Sequence, residues 1–280
     1  HRRLSILDLS EAGAQPLISK SKRFVIVFNG EIYNHLELRA KKLSSSQWNG
    51  SSDTETLLEA ISYWGLEATL KKLNGMFAFA LWDNKSKRLY LARDRIGEKP
   101  MYYGTLKSTF VFGSQLKSLS VHPCWQGDID RDSLSLFMKY GYVPSPFSIY
   151  EGIKKLPQAH IVVVSDGGNS ISEPKCYWNL DSNSEHAISY DYNSVQSVTD
   201  NLESLLHDSV KRRMLKAAKP TSLEYYYRQR FDPAPRGEGG GAAEGGGAAE
   251  GAPSRVAVWL RPSELRLPAS DAAPLLMVGP

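Results

Sequence analysis

The hydrophobic pattern changes rhythm several times along the chain, and each change predicts an element. Phe24-Val25-Ile26-Val27-Phe28 is a continuous apolar run that predicts a buried strand. It meets Asn29-Gly30, a common two-residue hairpin turn, yet Ile32, Leu36 and Leu38 then recur at helical spacing among Glu31, Glu37 and Arg39. A strand is therefore expected to stop at Asn29-Gly30 and give way to a helix. Met76 to Trp82 and Arg88 to Ala92 predict a hairpin across Asp83-Asn84-Lys85-Ser86-Lys87. Met101 to Leu106 and Thr109 to Phe112 predict a second across Lys107-Ser108, and His160 to Val164 a further strand that ends at Asp166-Gly167-Gly168.

Between these strands the period lengthens. Leu57, Leu58, Ile61 and Trp64 share one face of a predicted helix over Ser52 to Trp64, where Ser52-x-x-Glu55 fits a capping box and Gly65 a stop. Asp132 to Tyr140 predicts another helix, ended by Pro144-x-Pro146. Strands grouped in hairpins with helices between them imply a layered α+β domain rather than a doubly wound parallel sheet.

Residues 181–193 are polar and turn-rich, which predicts a linker, and Val198, Leu202, Leu205, Leu206 and Val210 then form the stripe of an amphipathic helix. After Leu215 the character changes. Residues 237–251 contain only Gly, Glu and Ala, with Glu-Gly-Gly-Gly-Ala-Ala twice in succession, a composition with too little apolar surface to offset the entropy of ordering it. Residues 252–280 are rich in Pro, Leu and Ala and show no convincing period. The expected organisation is a domain over 1–180, a linker and first helix of a further domain over 181–215, and an unrelated, disordered tail over 216–280.

With 280 residues, 41% of them hydrophobic, the chain can bury a sizeable core. Its 34 basic and 30 acidic residues are spread without the Lys/Arg stripe that phosphate-backbone binding needs, so no nucleic acid is expected as a partner. Cys124 and Cys176 are far apart and match neither a zinc site nor a disulfide framework, which suggests a reducing, cytoplasmic setting and no metal. No apolar stretch is long enough to cross a bilayer, and His1-Arg2-Arg3-Leu4 has neither a signal-peptide core nor an initiator Met. Residue 1 is expected not to be a natural start.

The chemistry concentrates where the strand meets Asn29-Gly30. A side-chain amide and a backbone N–H unencumbered by a Cβ can there converge on one oxygen, as an oxyanion hole requires, and Glu31 beside them can hold an ammonium. Taken alone, Asn-Gly is a plain turn. The stretches HRRLSILDLSEAGAQPL (1–17), VFNGEIYNHLELR (27–39), SDTETLLEA (52–60), LNGMFAFALWD (73–83) and ARDRIGEKPMYYG (92–104) together resemble the glutaminase domain of the asparagine synthetase family, the class II glutamine amidotransferases. The resemblance runs from His1 to about Leu215.

It implies an N-terminal-nucleophile hydrolase fold, a four-layer αββα sandwich of two antiparallel sheets between helical layers. The implied reaction is hydrolysis of the glutamine side-chain amide by an N-terminal Cys. The ammonia then converts an ATP-activated aspartate to asparagine, with ATP and Mg required in the complete enzyme and no cofactor in this part. By the resemblance, Arg3 clamps the glutamine carboxylate beside Leu4. Asn29 and the Gly30 N–H are the oxyanion donors, each worth roughly 3 kcal/mol in the transition state. Glu31 and Asp53 receive the α-ammonium, although Asp53 also suits a helix cap. Arg93-Asp94-Arg95, with Gly97 and Lys99-Pro100, is read as a structural turn that buttresses the site. A homodimer is the family's common assembly.

Three departures qualify the resemblance. Residue 1 is His where the mechanism needs Cys, and an internal cysteine has no α-amine to act as base. The pyrophosphate loop Ser-Gly-Gly-x-Asp-Ser is absent after Leu215, and Gln115 stands where the family has Glu. The chain is therefore expected to be a fragment without glutaminase or synthetase activity. The alternatives are an amidotransferase with another acceptor, and a non-catalytic protein that recognises glutamine through Arg3, Glu31 and Asp53.

Overall fold

The computed structural model describes residues 13–41, 43, 47–180, 195–217, 258–260 and 275–278. The chain divides into two units, His1–Ile188 with Ala257–Pro280, and Ser189–Val256.

Two sheets make up the first unit. One holds β1 (Leu17–Ile18), β2 (Phe24–Ile32), β3 (Gly75–Asp83), β4 (Arg88–Arg93), β8 (His160–Ser165) and β10 (Lys175–Cys176) in that order, with β9 (Ser170–Ile171) also on β8. All its pairings are antiparallel. The second holds β5 (Tyr102–Leu106) between β6 (Thr109–Gly113) and β7 (Ile153–Lys155). Both predicted hairpins are present, as β3–β4 and β5–β6.

Period-two side-chain alternation gives each sheet two faces to cover. Val27, Ala78, Ala80, Leu89, Leu91, Val162 and Val164 of the first sheet pack against Met101, Tyr103, Phe110 and Phe112 beside or within the second. The sheets thus meet face to face. On its outer face the first sheet lays Ile26, Phe28, Phe77, Phe79 and Leu81 against helices α2 (Asp53–Trp64) and α3 (Leu66–Lys72), through Leu57, Leu58, Ile61 and Leu70. The outer face of the second is covered by Leu119 of the short helix α4 (Leu116–Leu119), with Trp125 and Tyr150. The α+β, four-layer αββα expectation holds.

Helix ends follow the predicted chemistry with one correction. Ser52 caps α2 by accepting from the Thr54 N–H, and Gly65 ends it at φ +80°. The reciprocal arm of the capping box is not made, because the Glu55 carboxylate accepts from the N–H groups of Asn49 and Gly50 instead. Helix α5 (Arg131–Tyr140) is capped by Asp130 on Ser133 N–H and stopped by Gly141 at φ +75°. Helix α1 (His35–Lys41) follows β2.

The sequence assigns no fold to residues 252–280, yet the apolar runs Val258–Leu260 (β11) and Leu275–Val278 (β12) form strands. β12 pairs with β6 in parallel, so the second sheet is not wholly antiparallel. The expected linker over 181–193 and the Gly/Glu/Ala repeat lie outside the described residues. In the second unit, α6 (Val195–Ala217) carries the predicted stripe, with Leu202, Leu205, Leu206 and Val210 exposed. Among the described residues no helix is long and apolar enough to cross a membrane.

The far end of β3 is fastened by a bidentate ion pair. Arg23 donates through Nε and Nη2 to the two Asp83 oxygens, each at 2.9 Å. Burial pushes the Asp83 carboxyl up, but hydrogen bonds from Arg23, the Lys85 N–H and the Ser86 hydroxyl outweigh it and hold the group at about 2. Its folded value lies below the ordinary 3.8, so this stabilisation is complete above that value and lost as pH falls toward 2. Urea midpoints of the natural chain should fall more steeply over that window than those of Asp83→Asn, which has no carboxylate there to titrate.

Candidate active site

Strand β2 is the central feature of the candidate site. Among its nine residues only Asn29 and Gly30 are partly exposed; the rest are buried. The strand does not stop at Asn29-Gly30, as the sequence suggested, but runs on to Ile32 in register with β3, with Gly30 opposite Phe77. Gly30 makes this continuation feasible. It sits at φ +152°, where side chains are strained, and a Cβ there would lie 2.1 Å from the Met76 carbonyl oxygen and 2.6 Å from Phe77 Cα. Gly75 mirrors it, since a Cβ there would lie 2.1 Å from the Glu31 carbonyl oxygen.

Backbone N–H groups alternate between the two edges of a strand. β1 covers the outer edge of β2 only opposite Val25 and Ile26. Beyond it, the Phe28 N–H donates to Gln15 Oε1 at 2.6 Å and the Ile32 N–H to Asp53 Oδ2 at 2.9 Å. Gly30 has the same parity, so its N–H is directed to that edge too, between two anchored neighbours. Side chains alternate likewise: Ile26, Phe28 and Ile32 join the helix-side cluster and Val27 the inter-sheet cluster, which places Asn29 on the inter-sheet side. The two partly exposed residues thus offer a side-chain amide on the inter-sheet side and a backbone N–H at the strand edge.

The carboxylates gather at the same end of the strand. Glu31 follows Gly30 and is 8% exposed, and Asp53 is 5% exposed at the start of α2. Ser52 performs the capping, so the cap reading of Asp53 gives way to its bond across to Ile32. That bond fixes the helix N-terminus against the strand, and the partial positive charge of a helix start favours a carboxylate there.

The Arg93-Asp94-Arg95 turn is bonded to β3 at Phe77, the residue opposite Gly30. The Asp94 carboxylate, 1% exposed, accepts from five N–H groups: Ile96, Gly97 and Glu98 on Oδ1, Phe77 and Lys99 on Oδ2. Arg93 donates to the carbonyls of Lys99, Leu156 and Gly97 at 2.7–2.8 Å. Burial lowers the Arg93 pKa, and the Asp94 charge opposes that shift.

The structure brings together Asn29, Gly30, Glu31 and Asp53, while Arg3 and Leu4 lie outside the described residues. It adds Ser114, whose Oγ accepts from Asn29 Nδ2 at 3.2 Å. Ser114 follows β6 in the other sheet, and no local pattern links positions 85 residues apart. Neither cysteine is at the opening: Cys124 packs on the outer face of the second sheet, and Cys176 is on edge strand β10. No group of three or more His, Cys, Asp or Glu that could hold a metal occurs among the described residues.

A family model described as a glutamine amidotransferase domain matches residues 1–178. The glutamine-hydrolysing asparagine synthetase 3 of Bacillus subtilis is 37% identical over 219 residues, which cover 77% of this chain and 34% of that protein. Asparagine synthetase 1 of the same organism is 41% identical over 59% of this chain and 26% of its own length. The amidase chyE of Penicillium rubens is 30% identical over 80% of this chain and 32% of its own. The chain therefore spans about a third or less of these relatives. On the extent of the family match, the chain belongs to the glutamine amidotransferase domain family and is related to the glutamine-hydrolysing asparagine synthetases.

Proposed function

We propose that the chain carries the substrate side of a class II glutaminase site and holds L-glutamine without cleaving it. The observation that carries this reading is the opening at Asn29-Gly30 in an otherwise buried strand, with two buried carboxylates beside it. The glutamine amide oxygen lies against Asn29 Nδ2 and the Gly30 N–H. Glu31 and Asp53 face the α-ammonium, and Arg3 meets the carboxylate. In the family reaction a Cys thiolate adds to the amide carbon, and negative charge develops on that oxygen. The proton given up by the thiol passes to the amide nitrogen, the C–N bond breaks and ammonia leaves; water then cleaves the thioester, which releases glutamate and returns the thiol.

Asn29 and Gly30 are positioned for the charged oxygen, while Cys124 packs on the outer face of the second sheet and Cys176 lies on an edge strand, which supports binding without cleavage by these 280 residues. The similarity to proteins named glutamine-hydrolysing asparagine synthetases supports asparagine formation as the use of the released ammonia in the family reaction. The similarity to an amidase supports a second reading, in which the ammonia acceptor differs from aspartate. Calorimetry and a glutamate-release assay on the purified chain test the proposal together. Saturable glutamine binding with no glutamate released is expected; turnover, or no binding, contradicts it.

A further inference from the structure

Asn29 needs a device to aim its amide. The side chain projects from β2 between the sheets, where its chain neighbour Val27 is held by packing, but a carboxamide at a partly open position can rotate about its terminal torsion. A donor that must meet a developing charge works only when its direction is set beforehand. The Asn29 Nδ2–Ser114 Oγ hydrogen bond of 3.2 Å sets that direction. Ser114 is itself fixed: it is 8% exposed, directly after β6, and immediately precedes Gln115, the N-terminal flank of α4. An amide nitrogen carries two hydrogens in one plane. With one held by Ser114, the other is left for a second acceptor, and the plane in which it lies is set by that bond.

We infer that Ser114 is a positioning residue which fixes the Asn29 carboxamide, so that its second N–H recognises the side-chain carbonyl oxygen of glutamine. The recognition of substrate amide thus depends on both sheets, one supplying the donor and the other its support. Ser114 touches no substrate atom in this arrangement. The inference rests on Asn29 being an oxyanion donor, as proposed above.

The test compares two ligands on three chains by NMR titration. L-Glutamine has the side-chain amide; L-norleucine keeps the α-ammonium and carboxylate but has no amide for Asn29 to read. In Ser114→Ala, glutamine binding should weaken roughly 3–10-fold, as expected for loss of one supporting hydrogen bond, with norleucine affinity unchanged. Ser114→Thr, which keeps the hydroxyl, should bind glutamine like the natural chain. Unchanged glutamine affinity in Ser114→Ala, or an equal loss for both ligands, would overturn the inference while leaving the glutamine site intact. Failure of the natural chain to bind glutamine at all would instead remove the site reading on which it rests, and the inference with it.

Discussion

A Gly30→Ala chain is expected to lose both stability and glutamine binding, with the unfolding free energy reduced by about 2–6 kcal/mol. Two penalties combine at this position. The φ of +152° is one that an L side chain rarely adopts, and the new methyl would lie 2.1 Å from the Met76 carbonyl oxygen and 2.6 Å from Phe77 Cα. Both obstacles are backbone, and that backbone is the β3 partner of β2, so neither can retreat without opening the ladder from Asn29 to Ile32. Gly65→Ala separates the two penalties. Its φ is +80°, but a Cβ there would meet nothing within 4 Å, so only the backbone strain of a positive φ with extended ψ remains, about 1–3 kcal/mol. Urea denaturation of the two variants gives the comparison. Equal losses would show that close approach at Gly30 is not what the position requires.

The second large effect is expected at Asp94. Asp94→Asn should cost about 3–5 kcal/mol, because one of two acceptor oxygens becomes a donor amide among five converging N–H groups. If the amide nitrogen replaces Oδ1, it opposes the donors of Ile96, Gly97 and Glu98. If it replaces Oδ2, it opposes Phe77 and Lys99. Either orientation leaves donors facing a donor in a group only 1% exposed. Phe77 lies opposite Gly30, so glutamine affinity should fall together with stability. Thermal unfolding and glutamine titration of the same sample check this, and a stable Asp94→Asn chain would show that the carboxylate is dispensable.

Much of this architecture was legible in the sequence because its strands are long enough to show their period. Met76 to Trp82 and Arg88 to Ala92 formed the predicted hairpin, and the α2 face of Leu57, Leu58 and Ile61 is the one buried. Elements without room for a period were missed: β7, β9 and β10 have two or three residues each. Helix α3 has no signal of its own in the sequence, because Gly65 predicts a stop for α2 while it also precedes the next helix. The misreading of Asn29-Gly30 as the end of a strand has a similar origin. Local pattern distinguishes a turn glycine from a through-strand glycine poorly, since the difference lies in the approach of β3. At the candidate site, the motif singles out Asn29, Gly30, Glu31 and Asp53 but carries none of their geometry. The Asp53–Ile32 bond, the Asn29–Ser114 bond and the single strand edge shared by Phe28, Gly30 and Ile32 come from tertiary pairing alone.

The most direct test of the glutamine site follows the backbone amides of the isotope-labelled 280-residue chain as L-glutamine is added. Saturable shifts centred on Gly30, Glu31, Ile32 and Asp53, with one common dissociation constant, are the predicted result. Shifts absent from these residues at saturating glutamine, or clustered on a different part of the fold, would contradict it.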